Sequence, residues 1–291
     1  MRNPKISACI ITYNQEAYIR DCLEGAINQV TNYEYEIVIG EDFSTDSTLQ
    51  ICKEYAQRYP NLIRLIPRNT NLGMAGNWME TIQSCKGDYV AICEGDDYWT
   101  DTNKLQKQVG FLEANPNYSL CFHRAKVITI SGEIVDDYLT SIPENHETIE
   151  DLAEKGNYIH TPTVVFRNCI AVFPFEFQKS PILDHFLYIM LGEHGKIKYI
   201  DEAMANYRHG TGTFSSQSHI KIRINTVQFF SCLLSYLTDD NLKRIILDRQ
   251  LASITKLNQN GEYNYSSNKY LSGKKRFTDL FKIAILKILK K

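Results

Sequence analysis

The stretch YVAICEGDD, residues 89–97, joins an apolar run directly to a group of acidic side chains. The apolar residues Tyr89–Cys93 are followed without a break by Glu94, Gly95, Asp96 and Asp97. A short apolar run bounded by glycine and polar residues is typical of a strand buried in a parallel sheet. The stretch therefore predicts an α/β fold in which one central strand ends in carboxylates.

Strand and helix patterns alternate on both sides of this stretch. The predicted strands are Ile6–Tyr13, Tyr35–Glu41, Leu62–Ile66 and Tyr118–Ile130. The predicted helices are Glu16–Gln29, Ser47–Tyr59, Ala75–Cys85 and Asn103–Ala114, with Gly87 as a left-handed C-cap of the third. Such alternation predicts a mostly parallel sheet flanked by helices. Short elements follow residue 157, and mainly helices are predicted from His219 onward.

Polar residues gather where three of these strands end. Thr12-Tyr13-Asn14 follows the first strand, Glu41-Asp42 the second, and Glu94-Gly95-Asp96-Asp97 the strand at Tyr89. Ligands of open α/β sheets bind in the crevice at the carboxyl ends of the strands. One polar strand end is explained by contact with water alone, but three together predict a single solvent-facing cleft.

The phosphate-binding loops of common nucleotide enzymes are absent from the sequence. No G-x-G-x-x-G follows the first strand, and no G-x-x-x-x-G-K-[ST] occurs anywhere. A nucleotide bound here would need a cation instead, and Asp96 and Asp97 offer the carboxylate oxygens that Mg²⁺ and Mn²⁺ prefer. Paired acids are also common helix N-caps, so the pair alone is weak evidence.

Charge and cysteine content exclude several other classes. The formal net charge is −2, so no global basic field favours nucleic acid as a partner. The chain contains 8 Cys and no C-x-x-C pair, which predicts neither a zinc site nor a thioredoxin-like site. The N-terminal residues show no signal peptide and no run of 18 apolar residues occurs. These features predict a reduced, cytoplasmic protein.

The segment 274–291 differs from the rest of the chain. It carries seven Lys and Arg residues against one acid, Asp279, and its apolar residues cluster on one side of a helical wheel. This pattern predicts a basic amphipathic helix that holds the protein at the anionic inner face of the cell membrane. The alternative is a last helix that docks on the core. The predicted division is 1–215, 216–273 and 274–291.

Five segments together resemble family-2 glycosyltransferases with the GT-A fold. They are ACIITYN (8–14), EIVIGEDFSTDST (36–48), NTNLGMAGNW (69–78), GDYVAICEGDD (87–97) and LDHFLYIMLGEHGKIKYID (183–201). Each segment is short, but they occur in the order found in the family and extend over about residues 5–210. The resemblance implies an inverting enzyme of the type that builds bacterial surface polysaccharides.

The resemblance also implies roles for individual residues. The implied donor-binding set is Thr12, Tyr13, Asn14, Glu41, Asp42, Asn71, Gly73 and Asp96, with either Glu41 or Asp42 on the base edge. Asp97 and His209 are implied to bind Mn²⁺ or Mg²⁺. Asp184 is implied to be the general base, although as the opening residue of an amphipathic helix it is also explained as an N-cap.

Some positions depart from the family pattern. Glu41 stands in place of the usual first Asp, Gly76 in place of an Arg, and Leu183 precedes Asp184 where an acid is typical. These departures bear on the identity of the donor more than on the class of reaction.

The sequence thus predicts transfer of a sugar from a nucleotide-diphosphate donor to a hydroxyl of a glycan or lipid-linked acceptor. UDP-sugars are the donor class that the resemblance implies. One alternative is a nucleotidyltransferase with the same cleft, although the first strand lacks its usual phosphate loop. The other is a non-catalytic scaffold at the membrane surface, against which the presence of Asp97 and Asp184 argues.

Overall fold

A sheet of nine strands forms the centre of the first unit of the chain, within residues 3–210. The strands are β1 (Ile6–Thr12), β2 (Tyr35–Glu41), β3 (Ile63–Pro67), β4 (Tyr89–Glu94), β5 (Tyr98–Trp99), β6 (Tyr118–Ile128), β7 (Ile134–Asp136), β8 (Val165–Arg167) and β9 (Lys196–Arg208). The helices of this unit are α1 (Ile19–Ile27), α2 (Thr48–Arg58), α3 (Gly73–Ser84), α4 (Lys104–Ala114), α5 (Ile149–Lys155), α6 (Phe175–Lys179) and α7 (Leu183–Gly192).

The computed structural model describes residues 3–210, 212 and 217–259. The chain divides into two units, residues 1–217 and 218–291. The predicted basic helix at 274–291, and the predicted boundary before it, lie outside the described residues.

The sheet confirms the predicted α/β class with flanking helices. The strand order is β3-β2-β1-β4-β8-β6-β9-β5, and β7 pairs with β6. The four strands β3, β2, β1 and β4 are parallel, as their alternation with helices predicts. Beyond β4 the sheet is mixed, because β8 runs antiparallel to both β4 and β6 while β9 runs parallel to β6. The continuous run of four parallel strands therefore forms the half of the sheet that contains the predicted strand ends.

Alternation along β1 explains how helices cover the two faces of the sheet. Ile6, Ala8 and Ile10 are fully buried in a core that also contains apolar residues of α1, α2 and α4. On the other face α3 approaches β2 closely, since a Cβ on Gly40 would lie only 1.8 Å from Oγ1 of Thr81. Asn77 of α3 donates to the Gly40 carbonyl at 2.9 Å, which fixes that helix over the end of β2.

Gly87 does not have the conformation that the sequence predicts. Helix α3 ends at Ser84, and its C-cap Cys85 is extended. Gly87 is not among the positive-φ glycines of the described residues. Glycine is needed for close packing instead, because a Cβ there would lie 2.5 Å from the backbone nitrogen of Ser7. A positive φ occurs instead at Gly132, in a turn where φ is +84° and the Gly132 N–H donates to the Thr129 carbonyl.

The second unit is helical over its described residues. It contains α8 (His219–Tyr236) and α9 (Asp240–Gln259). Gln250 of α9 donates to the Val227 carbonyl at 3.0 Å and to Ser231 at 2.7 Å, which ties the two helices together. In the part of the chain that the structure describes, every helix is too short or too polar to span a bilayer.

Candidate active site

The polar strand ends predicted from the sequence meet at one edge of the sheet. Thr12 of β1 is in register with Glu41 of β2, and Ile11 is in register with Glu94 of β4. A cleft of 280 Å³ opens at this edge. Its lining includes Thr12, Tyr13, Asp42, Asn71, Gly73 and Glu94, together with Asn77 and Trp78 of α3. Most of the predicted donor set therefore lies in one place.

Asp42 holds the loop that forms one wall of the cleft. Its Oδ1 accepts from the Leu72 backbone N–H at 2.8 Å, and Asn71 donates to its carbonyl at 2.9 Å. Gly73 has φ +73°, and its N–H donates to the Asn71 side chain at 2.9 Å. Burial raises the pKa of Asp42, while the loop N–H groups oppose that shift. Asn71 and Gly73 thus shape the wall, as the predicted motif requires.

Glu41 and Asn14 support the turn beside the cleft. The side chain of Glu41 is fully buried, and its Oε1 accepts from the Ser44 N–H at 2.8 Å. Asn14 has φ 52° and accepts from the Thr45 N–H at 2.8 Å. Neither residue is among those that line the cleft, whereas Asp42 and the 44% exposed Tyr13 are. Of the two acids left open for the base edge, the geometry favours Asp42.

Asp97 is buried, so the prediction of a solvent-facing carboxylate is wrong. It is 1% exposed, and its Oδ1 accepts from the Arg208 backbone N–H at 2.7 Å. Its Oδ2 is buried and has no hydrogen-bond partner. Burial raises the pKa of Asp97 well above its ordinary value, and the nearby charges of Asp96 and Glu94 add to the shift. A buried carboxylate with an unpaired oxygen is costly by itself, and a cation would compensate it.

The side chains around Asp97 fit a cation that is coordinated partly by the protein and partly by substrate phosphates. Among the described residues, no group of three or more His, Cys, Asp and Glu side chains is arranged to hold a metal. Mg²⁺ commonly takes only one or two protein carboxylates and completes its coordination with substrate phosphates and water. The unpaired Oδ2 of Asp97 suits that arrangement.

His209 lies directly after Arg208, the backbone partner of Asp97. Its N–H donates to the Ile128 carbonyl at 3.0 Å. Its ring meets the ring of Tyr138 edge to face, with centroids 6.2 Å apart. The structure therefore places His209 in the neighbourhood of Asp97, and its part in metal binding stays a prediction.

Glu94 is one of the acids that the sequence places at a strand end, but the predicted site gives it no role. It lines the cleft between the donor set and the acids that follow it. Burial, together with the charges of Asp96 and Asp184, raises its pKa to about 8. The available signal was its position as the acid that ends β4.

Asp184 lies in the first turn of α7, and the N-cap interpretation is wrong because Ile182 is the N-cap. Asn157 donates to Oδ2 of Asp184 at 2.6 Å. Burial raises the pKa of Asp184, although N–H groups of the helix and the Asn157 amide oppose the shift. A carboxylate with a raised pKa is a stronger base than an ordinary Asp, provided it is ionised.

Tyr207 on β9 shows that Asp184 and the strand-end acids converge. The pKa of its phenol is raised first by burial and then by the charges of four carboxylates: Asp97, Glu94, Asp184 and Asp96. The Tyr207 ring stacks on His160 with centroids 4.5 Å apart, and His160 Nε2 lies 2.9 Å from Oδ2 of Asp137. Asp137, His160 and Tyr207 lie in separate parts of the chain, so no sequence spacing predicts that they meet.

A protein with this fold and this arrangement of acids belongs to a recognised class. The family model for Glycosyl transferase family 2 matches residues 7–173, which is more than half of the 291 residues. The chain belongs to that family. This confirms the resemblance found in the five sequence segments.

Individual proteins agree with the family assignment. An uncharacterized protein of Mycobacterium tuberculosis is 39% identical over 212 residues, which is 72% of this chain and 61% of that protein. The chain thus spans about three fifths of that relative. Residues 1–349 of Staphylococcus aureus TarS, solved in complex with UDP-GlcNAc, match with a TM-score of 0.62 at 20% identity, covering 88% of this chain and 74% of that solved fragment.

A second solved structure extends the likeness over almost the whole chain. The mannosyltransferase PcManGT from Pyrobaculum calidifontis, in complex with GDP-Man and Mn²⁺, matches with a TM-score of 0.58 at 14% identity. The match covers 99% of this chain and 81% of PcManGT. These similarities show that the chain has the GT-A fold.

Proposed function

We propose that this chain is an inverting glycosyltransferase that moves a sugar from a nucleotide-diphosphate donor to an acceptor hydroxyl. The observation that carries the proposal is the convergence of Asp184 with Asp96 and Asp97 around Tyr207, beside a cleft lined by the donor set. Asp184 is thereby available to the acceptor, and Asp96 and Asp97 are available to the donor and its cation. Family membership supports the same chemistry.

The donor occupies the cleft at the ends of β1, β2 and β4. Tyr13 offers an exposed ring for stacking on the base, with Thr12 beside it, and Asp42 accepts from the base edge. Asp96 faces the ribose or diphosphate. The TarS complex with UDP-GlcNAc supports a UDP-sugar, although the GDP-Man complex of PcManGT shows that the fold alone does not select the base.

Asp97 holds a divalent cation, Mn²⁺ or Mg²⁺, through its unpaired Oδ2, with His209 as a further ligand. The Mn²⁺ in the PcManGT structure supports this assignment. When bound, such a cation neutralises negative charge on the departing nucleotide. The Arg208 N–H orients the Asp97 carboxylate by binding its other oxygen.

Asp184 takes the proton of the acceptor hydroxyl as the new C–O bond forms. A sugar hydroxyl is a poor nucleophile at neutral pH, so a base at this position contributes strongly to the rate. The Asn157 amide fixes the direction of the carboxylate, and burial strengthens it as a base. Attack from the side opposite the nucleotide inverts the anomeric carbon.

The acceptor is a glycan or lipid-linked intermediate of cell-surface polysaccharide synthesis. The enzyme acts in the cytoplasm, and the segment 274–291 holds it at the inner face of the membrane. The non-catalytic scaffold and the nucleotidyltransferase are less well supported. A scaffold has no use for the raised pKa of Asp184. A nucleotidyltransferase usually has a phosphate loop after its first strand, and no such loop follows β1.

A thermal-shift screen of nucleotide sugars with and without Mn²⁺ tests the proposed donor class. We expect one or more UDP-sugars to raise the melting temperature only when Mn²⁺ or Mg²⁺ is present. A ligand at a hundredfold excess over its Kd stabilises a protein by about 2.7 kcal/mol, which such a screen detects. If no nucleotide sugar stabilises the protein with either metal, the proposed function is wrong.

A further inference from the structure

An exposed aromatic side chain beside His209 has no role in the chemistry described so far. The segment 129–140, here called the rim, leaves β6 through the turn at Gly132, forms β7 and continues to Thr140. Four apolar side chains of the rim are exposed: Ile130, Ile134, Tyr138 and Leu139. Tyr138 is 59% exposed, although its ring meets that of His209 edge to face.

The backbone on both sides of Tyr138 is fixed. Asp137 Oδ1 accepts from the Leu139 N–H at 2.8 Å, and its Oδ2 lies 2.9 Å from Nε2 of His160. Burial raises the pKa of Asp137, but hydrogen bonds from His160 and Thr140 outweigh it and lower the pKa to about 2. Asp137 is therefore ionised at neutral pH and anchors the rim to His160.

This anchor connects the rim to the catalytic acids. His160 stacks on Tyr207, the residue whose pKa the charges of Asp97, Glu94, Asp184 and Asp96 raise. The ring of Tyr138 contacts the ring of His209. His209 directly follows Arg208, whose N–H donates to Asp97. The Tyr138 ring is thus held at the end of β9, apart from the donor cleft lined by Tyr13 and Trp78.

We propose that Tyr138 is the platform on which a pyranose ring of the acceptor glycan stacks. A pyranose has an apolar face of C–H groups and hydroxyls around its edge, so an exposed aromatic ring binds the face and leaves a hydroxyl free to react. The rigid anchor keeps the entropy cost of binding small. This inference rests on the proposed function and names the acceptor subsite of the same site.

Saturation-transfer NMR on the protein with UDP and Mg²⁺ tests the platform. The probes are the methyl glycosides of glucose, galactose, mannose and N-acetylglucosamine. We expect at least one to bind the wild type, Tyr138→Phe to bind it equally, and Tyr138→Ala to weaken it about tenfold, the value of a good aromatic contact. Phe175→Ala removes another exposed ring, 67% exposed on α6, and is expected to change nothing.

Several outcomes would overturn the platform. They are a wild type that binds none of the four methyl glycosides, a Tyr138→Ala variant that binds them as well as the wild type, and binding of octyl glucoside without methyl glucoside, which would assign the rim to an apolar chain. Stabilisation by nucleotide sugars is measured on the same variants. If it is retained while the platform fails, only this inference is wrong, whereas its absence in the wild type contradicts the proposed function itself.

Discussion

Replacement of Asp184 by Asn is expected to lower kcat by about 10²–10⁴, the contribution of a general base, while the affinity for the donor is preserved. Asn has nearly the same size and keeps an oxygen that accepts from Asn157. The variant is expected to be at least as stable as the wild type at neutral pH. Burial raises the pKa of Asp184, so its ionised form is unfavourable in the folded protein and Asn removes that cost.

The Asp184 prediction is checked by steady-state kinetics on a confirmed acceptor, together with thermal stabilisation by the donor. Glu193→Gln, at the other end of α7, is the matched control and should leave kcat unchanged. Turnover above about a tenth of the wild-type value in Asp184→Asn would remove this residue from the catalytic role.

Replacement of Asp97 by Ala or Asn is expected to abolish metal-dependent donor binding and leave the fold intact. The Asn variant keeps an acceptor for the Arg208 N–H but loses the charge that a cation requires. Because burial raises the pKa of Asp97, the Asn variant without metal is also expected to unfold at the same or a higher temperature than the metal-free wild type. Calorimetric titration of the donor with Mn²⁺, and again with excess chelator, measures the effect.

Asp88→Asn is the control for Asp97, because Asp88 immediately precedes β4 and pairs with Lys5 at the surface. It should bind donor as the wild type does. An Asp97 variant that turns over donor at the wild-type rate without added metal would show that the assignment of Asp97 as a metal ligand is wrong.

Local patterns in the sequence predict the parallel half of the sheet and the donor side of the site. Tyr35–Glu41 is a strand with the predicted bounds, because its apolar residues and the polar turn after it are contiguous. The second half depends on pairings between distant residues. The long strand β9 pairs with β6 over most of its length. The pattern of a single sequence does not predict which strand another strand pairs with.

The acceptor side was harder to predict for the same reason. His160 and Tyr207 are distant in sequence and meet only because β9 passes beside the turn at Thr161–Thr163. The burial of Asp97 also has a non-local cause, since the end of β9 covers it and supplies the Arg208 N–H. The prediction of Gly87 as a left-handed cap is wrong because a close backbone approach requires glycine just as such a cap does.

The most direct test of sugar transfer with inversion is a ¹H NMR time course of donor cleavage. A UDP-sugar that stabilises the protein is incubated with Mg²⁺, and water takes the place of the acceptor. We expect the sugar released from an α-linked donor to be seen first as the β anomer, before it equilibrates in solution, and expect Asp184→Asn to release it far more slowly. Initial release as the α anomer, or no cleavage of any donor that binds, would contradict the proposed mechanism.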